Sequence, residues 1–288
     1  MFALLLGAVC IGFAPVLVRL ADTGPVASAF WRLALAAPLL WLLWWRSRRG
    51  VRHAAPPRAA SPSMALLLSG LFFAADLGTW HFSILDTTVA NATLLANCAP
   101  LFVTLYALLV QRRRVPPLFF PALALALGGA FLLVSPNFDH GSRPMRGDAL
   151  ALVACLFYSA YMLSVKRANE RHSTLQLMAV STTVSALLLW PLALWLSWHH
   201  GQPFWPGRPQ GWLVVIALAV LTQVTGQGLI AWALSRLSVA LSSTGLLLQP
   251  MVSAAAAWWL FGESLRVAQL AGALVLLLGI FLARRSHA

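Results

Sequence analysis

The chain has 288 residues; 60% are hydrophobic, only 9% are Asp, Glu, Lys or Arg, and the formal net charge is +13. A mean hydropathy of +0.80 excludes an ordinary water-soluble domain, in which about a quarter of the residues are charged. The basic residues stand in short knots between apolar runs of about twenty residues. That layout excludes the contiguous basic face of a nucleic-acid-binding module and fits a chain that crosses a bilayer repeatedly.

The first run, Ala3–Leu20, has an apolar centre but no basic leader and no small-x-small cleavage site, so it reads as a first transmembrane helix and not as a signal peptide. Val26–Trp45, Met64–Leu85, Val89–Val110 and Leu118–Val134 follow. A connector, Ser135–Gly147, carries the turn formers Pro136, Gly141 and Pro144. Beyond it come Ala149–Val165, Leu175–Trp198, Trp212–Leu234, Ala240–Leu260 and Val267–Ala283. The runs are continuously apolar and longer than the roughly 10 residues of a membrane strand. The predicted fold is therefore an all-α integral membrane protein with ten transmembrane helices, each satisfying its own backbone hydrogen bonds within the lipid.

Basic residues set the expected orientation. With the N-terminus in the cytoplasm, the inner side holds Arg46, Arg48, Arg49, Arg52, Arg58, Arg112, Arg113, Arg114, Lys166, Arg167, Arg171, Arg236, Arg284 and Arg285. The outer side holds Arg143, Arg146, Arg208 and Arg266. This bias places both termini in the cytoplasm of a cell with a bacterial-type inner (plasma) membrane. Arg19, at the outer end of the first span, argues the other way and is outvoted. The excess charge also suits anionic lipid heads as partners. Cys10, Cys98 and Cys155 all lie in apolar spans and form no Cys-x-x-Cys, so they read as small buried residues without disulfide or metal.

The sequence repeats itself. A shift of 150 places Gly78 on Gly228, Val89-Ala90 on Val239-Ala240, Pro100 on Pro250, and Gly129 on Gly279; Phe131-Leu132 meets Phe281-Leu282. Near the N-terminus a shift of 147 places Val18-Arg19 on Val165-Lys166. Two units, residues 1–138 and 144–288, thus hold five spans each. An odd number inverts the second unit, and inverted repeats are a recurring transporter architecture with a site between the halves.

These matched stretches carry a family resemblance. Gly78–Pro100 reads GTWHFSILDTTVANATLLANCAP and Trp232–Pro250 reads WALSRLSVALSSTGLLLQP. Each resembles the third-to-fourth-helix segment of an EamA repeat of the drug/metabolite transporter superfamily. Phe261-Gly262-Glu263 before a Gly-containing last helix is similar to that family's repeat ending, and Arg32 matches its usual arginine in span two. The resemblance implies ten helices, cytoplasmic termini, and transport of small metabolites, often outward. Gln111 and three arginines stand where the first repeat usually keeps a Glu, so no role for that acid is carried over.

Charges at membrane depth are costly and usually face the bundle interior. Asp76 is mid-span in helix three, and Arg32 lies a third of the way into helix two. Counted from the outer ends, their depths differ by about 4–5 Å. A fixed ion pair that orders the bundle and a role in substrate binding or proton coupling through Asp76 are both open. Trp80 and Ser83 share the face of Asp76, and an indole beside a carboxylate suits a cationic or aromatic molecule, against the plainer reading of a packing tryptophan. His81 lies about 140° around the helix from Asp76 and reads as a packing or hydrogen-bonding residue. Polar stripes Thr93, Asn97, Thr104 and Ser242, Gln249, Ser253 flank the kink prolines Pro100 and Pro250. Such stripes line a midplane cavity or bond between helices. Gln223, Gln227, Tyr158 and Tyr161 are similar candidates. Gly7, Gly70, Gly128, Gly129, Gly272 and Gly279 read as close-packing points, and Glu263 with Arg266 as a surface pair or cap.

The expected cavity residues are therefore Arg32, Asp76, Trp80, Asn97, Tyr158, Gln227 and Gln249. No phosphate loop, zinc-protease motif or nucleophile triad stands out, so the chain reads as no enzyme, without cofactor or metal. The favoured reading is a secondary transporter that exports a small polar or amphipathic metabolite, such as an amino acid, by alternating access. Xenobiotic efflux is the second reading. A membrane-embedded lipid-modifying enzyme would need a reactive set that the scattered His and Asp do not supply, and a non-transporting scaffold would be expected to carry a long soluble tail. Protons and a second copy of the chain stay open as partners.

Overall fold

The computed structural model describes residues 1–49, 63–87, 89–112, 114–134, 144–262 and 267–286. The predicted Arg52, Arg58, Arg113, Arg143, Glu263 and Arg266, and most of the connector between the units, lie outside the described residues. The described regular structure is helical throughout. In chain order the rods are α1 (Phe2–Leu20), α2 (Pro25–Arg49), α3 (Met64–Asp86), α4 (Val89–Ala96 then Ala99–Leu109) and α5 (Phe119–Val134). They continue with α6 (Pro144–Ala168), α7 (Thr174–His200), α8 (Pro209–Leu234), α9 (Val239–Phe261) and α10 (Val267–Arg285). Eight of them are long and apolar enough to cross a bilayer; Ala99–Leu109 and Phe119–Leu132 are apolar but shorter. The fourth predicted run is thus interrupted, at Asn97-Cys98, and does not form one continuous span.

Three rods break, each beside a proline. Pro15, Pro100 and Pro250 have no N–H to give to the carbonyl four residues back. The chain responds by tightening just upstream: α1 divides at Phe13, α4 at Asn97-Cys98, and α9 at Leu246-Leu247. Around the last two breaks the backbone turns to three-residue bonds, Cys98 N–H to the Leu95 carbonyl and Gln249 N–H to the Leu246 carbonyl. Pro38 in α2 and Pro191 in α7 are carried without a break. α8 is distorted differently, by a π-helical stretch over Leu218–Gln227.

The packing has a swap symmetry. α3 packs on α6 as α1 packs on α8, α3 on α7 as α2 on α8, and α4 on α6 as α1 on α9. α2 pairs with α7, α5 with α10, and α4 with α9. Each contact is kept when a rod is exchanged for the one five places away. Small residues permit the closest approaches. A Cβ at Gly129 would strike the backbone of Gly272 and Leu276, and one at the equivalent Gly279 would strike Ala122 and Ala126. Gly7 and Gly226 meet between α1 and α8, and Gly70 lies against Val184 of α7. Gly128 is different: nothing stands within 4 Å of its would-be Cβ, so it is not a close-packing point.

The exterior is apolar, with large side chains such as Leu109, Leu187, Leu213 and Leu274 well exposed. Exposed Trp41 and Trp45 lie near one end of the bundle, and Trp198, Trp258 and Trp259 near the other, as in the aromatic belts of a bilayer-spanning protein. The first of these ends also carries the arginines that follow the helices. Arg48 and Arg49 stack on Trp44 and Trp45, Arg236 on Trp232, and Arg285 on Phe281, each four residues back. Cations there also complement the negative helix C-termini. The chain is a multi-pass membrane protein.

The two ends are tied differently. At the basic end Lys166 Nζ donates to the Leu237 carbonyl at 3.0 Å and Asn169 Nδ2 to the Ala231 carbonyl at 2.8 Å, joining the end of α6 to α8 and to the α8–α9 connection. At the opposite end Gly207 and Arg208 N–H both donate to Asp22 Oδ2 at 3.0 Å. Trp31 Nε1 donates there to the Phe204 carbonyl at 2.8 Å. Rings of Phe30, Trp31, Phe204, Trp205 and Trp212 pack the α7–α8 connection onto α2.

Candidate functional site

A cavity of about 100 Å³ opens where the broken rods meet. The α1 break supplies Gly12, Ala14 and Pro15; the α4 break supplies Thr93, Ala96 and Asn97; the α9 break supplies Gln249. Helix interruption therefore puts loosened backbone and polar side chains at one depth, where backbone irregularity is tolerable only against protein or a wet cavity. The continuous rods add Arg32 from α2, Phe73, Asp76, Leu77 and Trp80 from α3, Tyr158 from α6 and Gln227 from α8. The structure thus brings Arg32, Asp76, Trp80, Asn97, Tyr158, Gln227 and Gln249 to a single space. The two halves face each other across it.

The two charges are held apart. Arg32 and Asp76 are 6% and 8% exposed, yet they form no direct ion pair among the described residues. Arg32 Nε donates instead to Gln223 Oε1 at 3.0 Å, and its guanidinium carbon sits 5.9 Å from the centre of the Phe73 ring. Phe73 stacks on Tyr161 at 4.7 Å, and Tyr161 on Tyr158 at 5.9 Å. Gln227 Nε2 donates to the Tyr161 hydroxyl at 3.0 Å, which links α8 to this aromatic stack. The Asp76 carboxylate takes no hydrogen bond among the described residues, and neither does the Gln249 amide. Asn97 Nδ2 donates to the Thr93 carbonyl at 2.7 Å, which occupies its amine end and leaves its Oδ1 without a hydrogen bond there.

Buried charges without a counter-charge in contact are costly. A cavity that keeps a guanidinium and a carboxylate on its wall, unbridged, is chemically complementary to a molecule with both signs. The aromatic wall of Phe73, Trp80 and Tyr158 offers contact for an apolar or cationic portion. The Gln249 amide can take either a donor or an acceptor, and Asn97 offers its Oδ1 to a donor.

Other expected candidates go elsewhere. Ser83 donates to the Trp80 carbonyl within α3. Thr104 and Ser242 are buried away from the cavity, and neither hydroxyl has a partner among the described residues. Ser253 does not border the cavity either. His81 is buried with Nδ1 on the Leu77 carbonyl at 2.7 Å. Tyr161 and Gln223 stand behind the wall and not in it. Arg19 lies over the Phe261 ring at 4.3 Å, at the far end of α9. Cys10 and Cys155 are buried. Phe73 and the α1 break were missed in the sequence; a third interrupting proline, Pro15, was the available signal for the latter.

The EamA-like transporter family matches this chain twice, over residues 1–135 and 145–285. The chain belongs to that family. Its members are transporters and not enzymes. Among curated relatives, the threonine/homoserine exporter RhtA of Escherichia coli (strain K12) is 28% identical over 207 residues, covering 69% of this chain and 65% of that protein. The pseudopaline exporter CntI of Pseudomonas aeruginosa (strain PAO1) is 26% identical over 165 residues, 56% of this chain and 55% of the relative; the match thus spans little more than half of that exporter. An uncharacterized transporter of Archaeoglobus fulgidus is 24% identical over 270 residues, 92% of this chain and 89% of that one. A solved crystal structure shares the fold with a TM-score of 0.78 at 18% identity, covering 98% of this chain and 96% of the other.

Proposed function

We propose that this EamA-family chain is a secondary exporter of small zwitterionic metabolites, amino acids or related compounds, working by alternating access. The observation that carries the reading is the unbridged pair on the cavity wall: Arg32 to receive a carboxylate and Asp76 an ammonium group. The cavity volume of about 100 Å³ suits a small molecule. The export activity in the names of RhtA and CntI supports the direction. Ten crossings in two inverted units, residues 1–138 and 144–288, and both termini in the cytoplasm of a bacterial-type inner membrane complete the proposal. The swap symmetry of the packing and the arginines gathered at one end support it. With no phosphate loop recognised in the sequence, the drive is an ion gradient or the substrate's own gradient, and Asp76 is the proposed proton carrier.

The test is purified protein in proteoliposomes with a panel of radiolabelled amino acids, their amines, and aromatic cations, with and without a pH gradient. Uptake of amino acids that shifts the lumenal pH supports the reading. Uptake confined to aromatic cations replaces it with xenobiotic efflux, which the aromatic wall would serve. Amino-acid flux without pH response removes proton coupling alone.

A further inference from the structure

Gln223 never touches the cavity, yet both ends of its amide are committed. It is fully buried in the π-helical stretch of α8. Its Oε1 accepts from Arg32 Nε at 3.0 Å, and its Nε2 donates to Thr182 Oγ1 of α7 at 3.0 Å. The guanidinium is thereby fixed by one edge on Gln223, with the Phe73 ring below it at 5.9 Å. A guanidinium has five N–H donors in a rigid fork. Gln223 takes only the Nε–H, and the four Nη hydrogens make no hydrogen bond among the described residues, while Arg32 borders the cavity.

The partner is a neutral amide where a carboxylate of nearly equal shape would fit. A carboxylate there would hold Arg32 just as firmly but would cancel its charge. We propose that Gln223 is a positioning residue that sets the charge selectivity of the site: it orients Arg32 without neutralising it, so that the Nη edge takes the substrate carboxylate. Thr182 fixes the orientation of the Gln223 amide in turn, because its hydroxyl claims the NH₂ end and turns the oxygen toward Arg32. This rests on the zwitterion reading of the cavity and adds to it a residue outside the wall that decides which zwitterion end is recognised.

The experiment compares transport of an α-amino acid with that of its decarboxylated amine in wild type, Gln223→Glu, Gln223→Met and Thr182→Val. In Gln223→Glu the ratio of apparent KM values moves toward the amine by about tenfold to 100-fold, the weight of one hydrogen bond to a charged group. Gln223→Met raises the KM for the amino acid while leaving that for the amine in place, and Thr182→Val gives a smaller change in the same sense. A general packing defect would lower both fluxes together and leave the ratio unmoved, and that result overturns the proposal. Should Gln223→Glu fail to fold, the ratio in the other two variants decides the matter.

A second readout needs no substrate. A small dicarbonyl reagent that reacts at the Nη edge is applied to the whole protein, and the Arg32 peptide is followed by mass spectrometry. Gln223→Glu slows that modification by about tenfold relative to wild type, because its carboxylate draws the guanidinium into an ion pair. If wild type moves neither amino acid nor amine while the modification is slowed, the functional reading fails and the positioning role stands. An unchanged rate overturns the positioning role whatever the transport result.

Discussion

The two halves of the molecule share a packing plan but bring different chemistry to the cavity. The first half supplies the charges, Arg32 and Asp76, with Trp80 and the broken α4. The second half supplies neutral groups, Tyr158, Gln227 and Gln249. The repeat itself shows how the difference is maintained: the 150-residue shift that puts Gly78 on Gly228 puts Asp76 on Gly226. Gly226 is spent on packing: a Cβ there would lie 2.8 Å from Ile11 Cγ1 and 3.1 Å from Cys10 Cβ of α1, so any added side chain must push α1 aside. On the proposed reading, the charged half recognises the substrate and the neutral half shapes the space around it. Even the second half's hydrogen bond to a cavity charge, that of Gln223 with Arg32, comes from behind the wall.

That division is tested most severely at Asp76. Asp76→Asn keeps the shape and removes the charge, and is expected to cut amino-acid flux in proteoliposomes about 100-fold at equal expression, the upper weight of a hydrogen bond to a charged group. Arg32→Lys preserves charge but loses the fork and its Nε bond to Gln223, and a KM raised about tenfold measures the difference. The neutral half responds less. Gln249→Leu and Gln227→Leu are each expected to raise KM by about twofold to tenfold, as for ordinary hydrogen bonds. A loss at Gln249 as deep as that at Asp76 would break the comparison.

Gly226→Ala sharpens it from the other side. Its methyl group overpacks α1 against α8, and thermal unfolding in detergent should report about 1–3 kcal/mol of lost stability with KM little changed. Gly128→Ala, facing open space, sets the floor at about 0.5 kcal/mol or less.

Much of this was legible in the sequence because it depends on local chemistry. Continuous apolar runs give the rods, and Pro100 and Pro250 give two of the three breaks. The depth of Asp76 and Arg32 in their spans places both at cavity level. What was not legible is the rotation of each rod, which packing decides. Whether Arg32 would meet Asp76 could not be read from depth alone, and its actual partner, Gln223, is 191 positions away in the chain. Gln223 and Gln227 look alike on paper, one turn apart; the π-helical stretch that carries both leaves one behind the wall and the other in it. The break at Phe13 had its signal in Pro15, but no polar stripe flanks that proline as one flanks Pro100 and Pro250, and the hydropathy pattern alone does not register it.

The central claim is that one cavity, shared by the two halves, is reached from each side of the membrane in turn. A single cysteine at position 97, in a chain whose Cys10, Cys98 and Cys155 are replaced by Ala, tests it with membrane-impermeant thiol reagents applied to right-side-out and inside-out vesicles. Reaction from both faces, with added amino acid changing the rate from each face in opposite directions, is the predicted result. Reaction from one face only, unaffected by amino acid while the protein still transports it, would contradict the account.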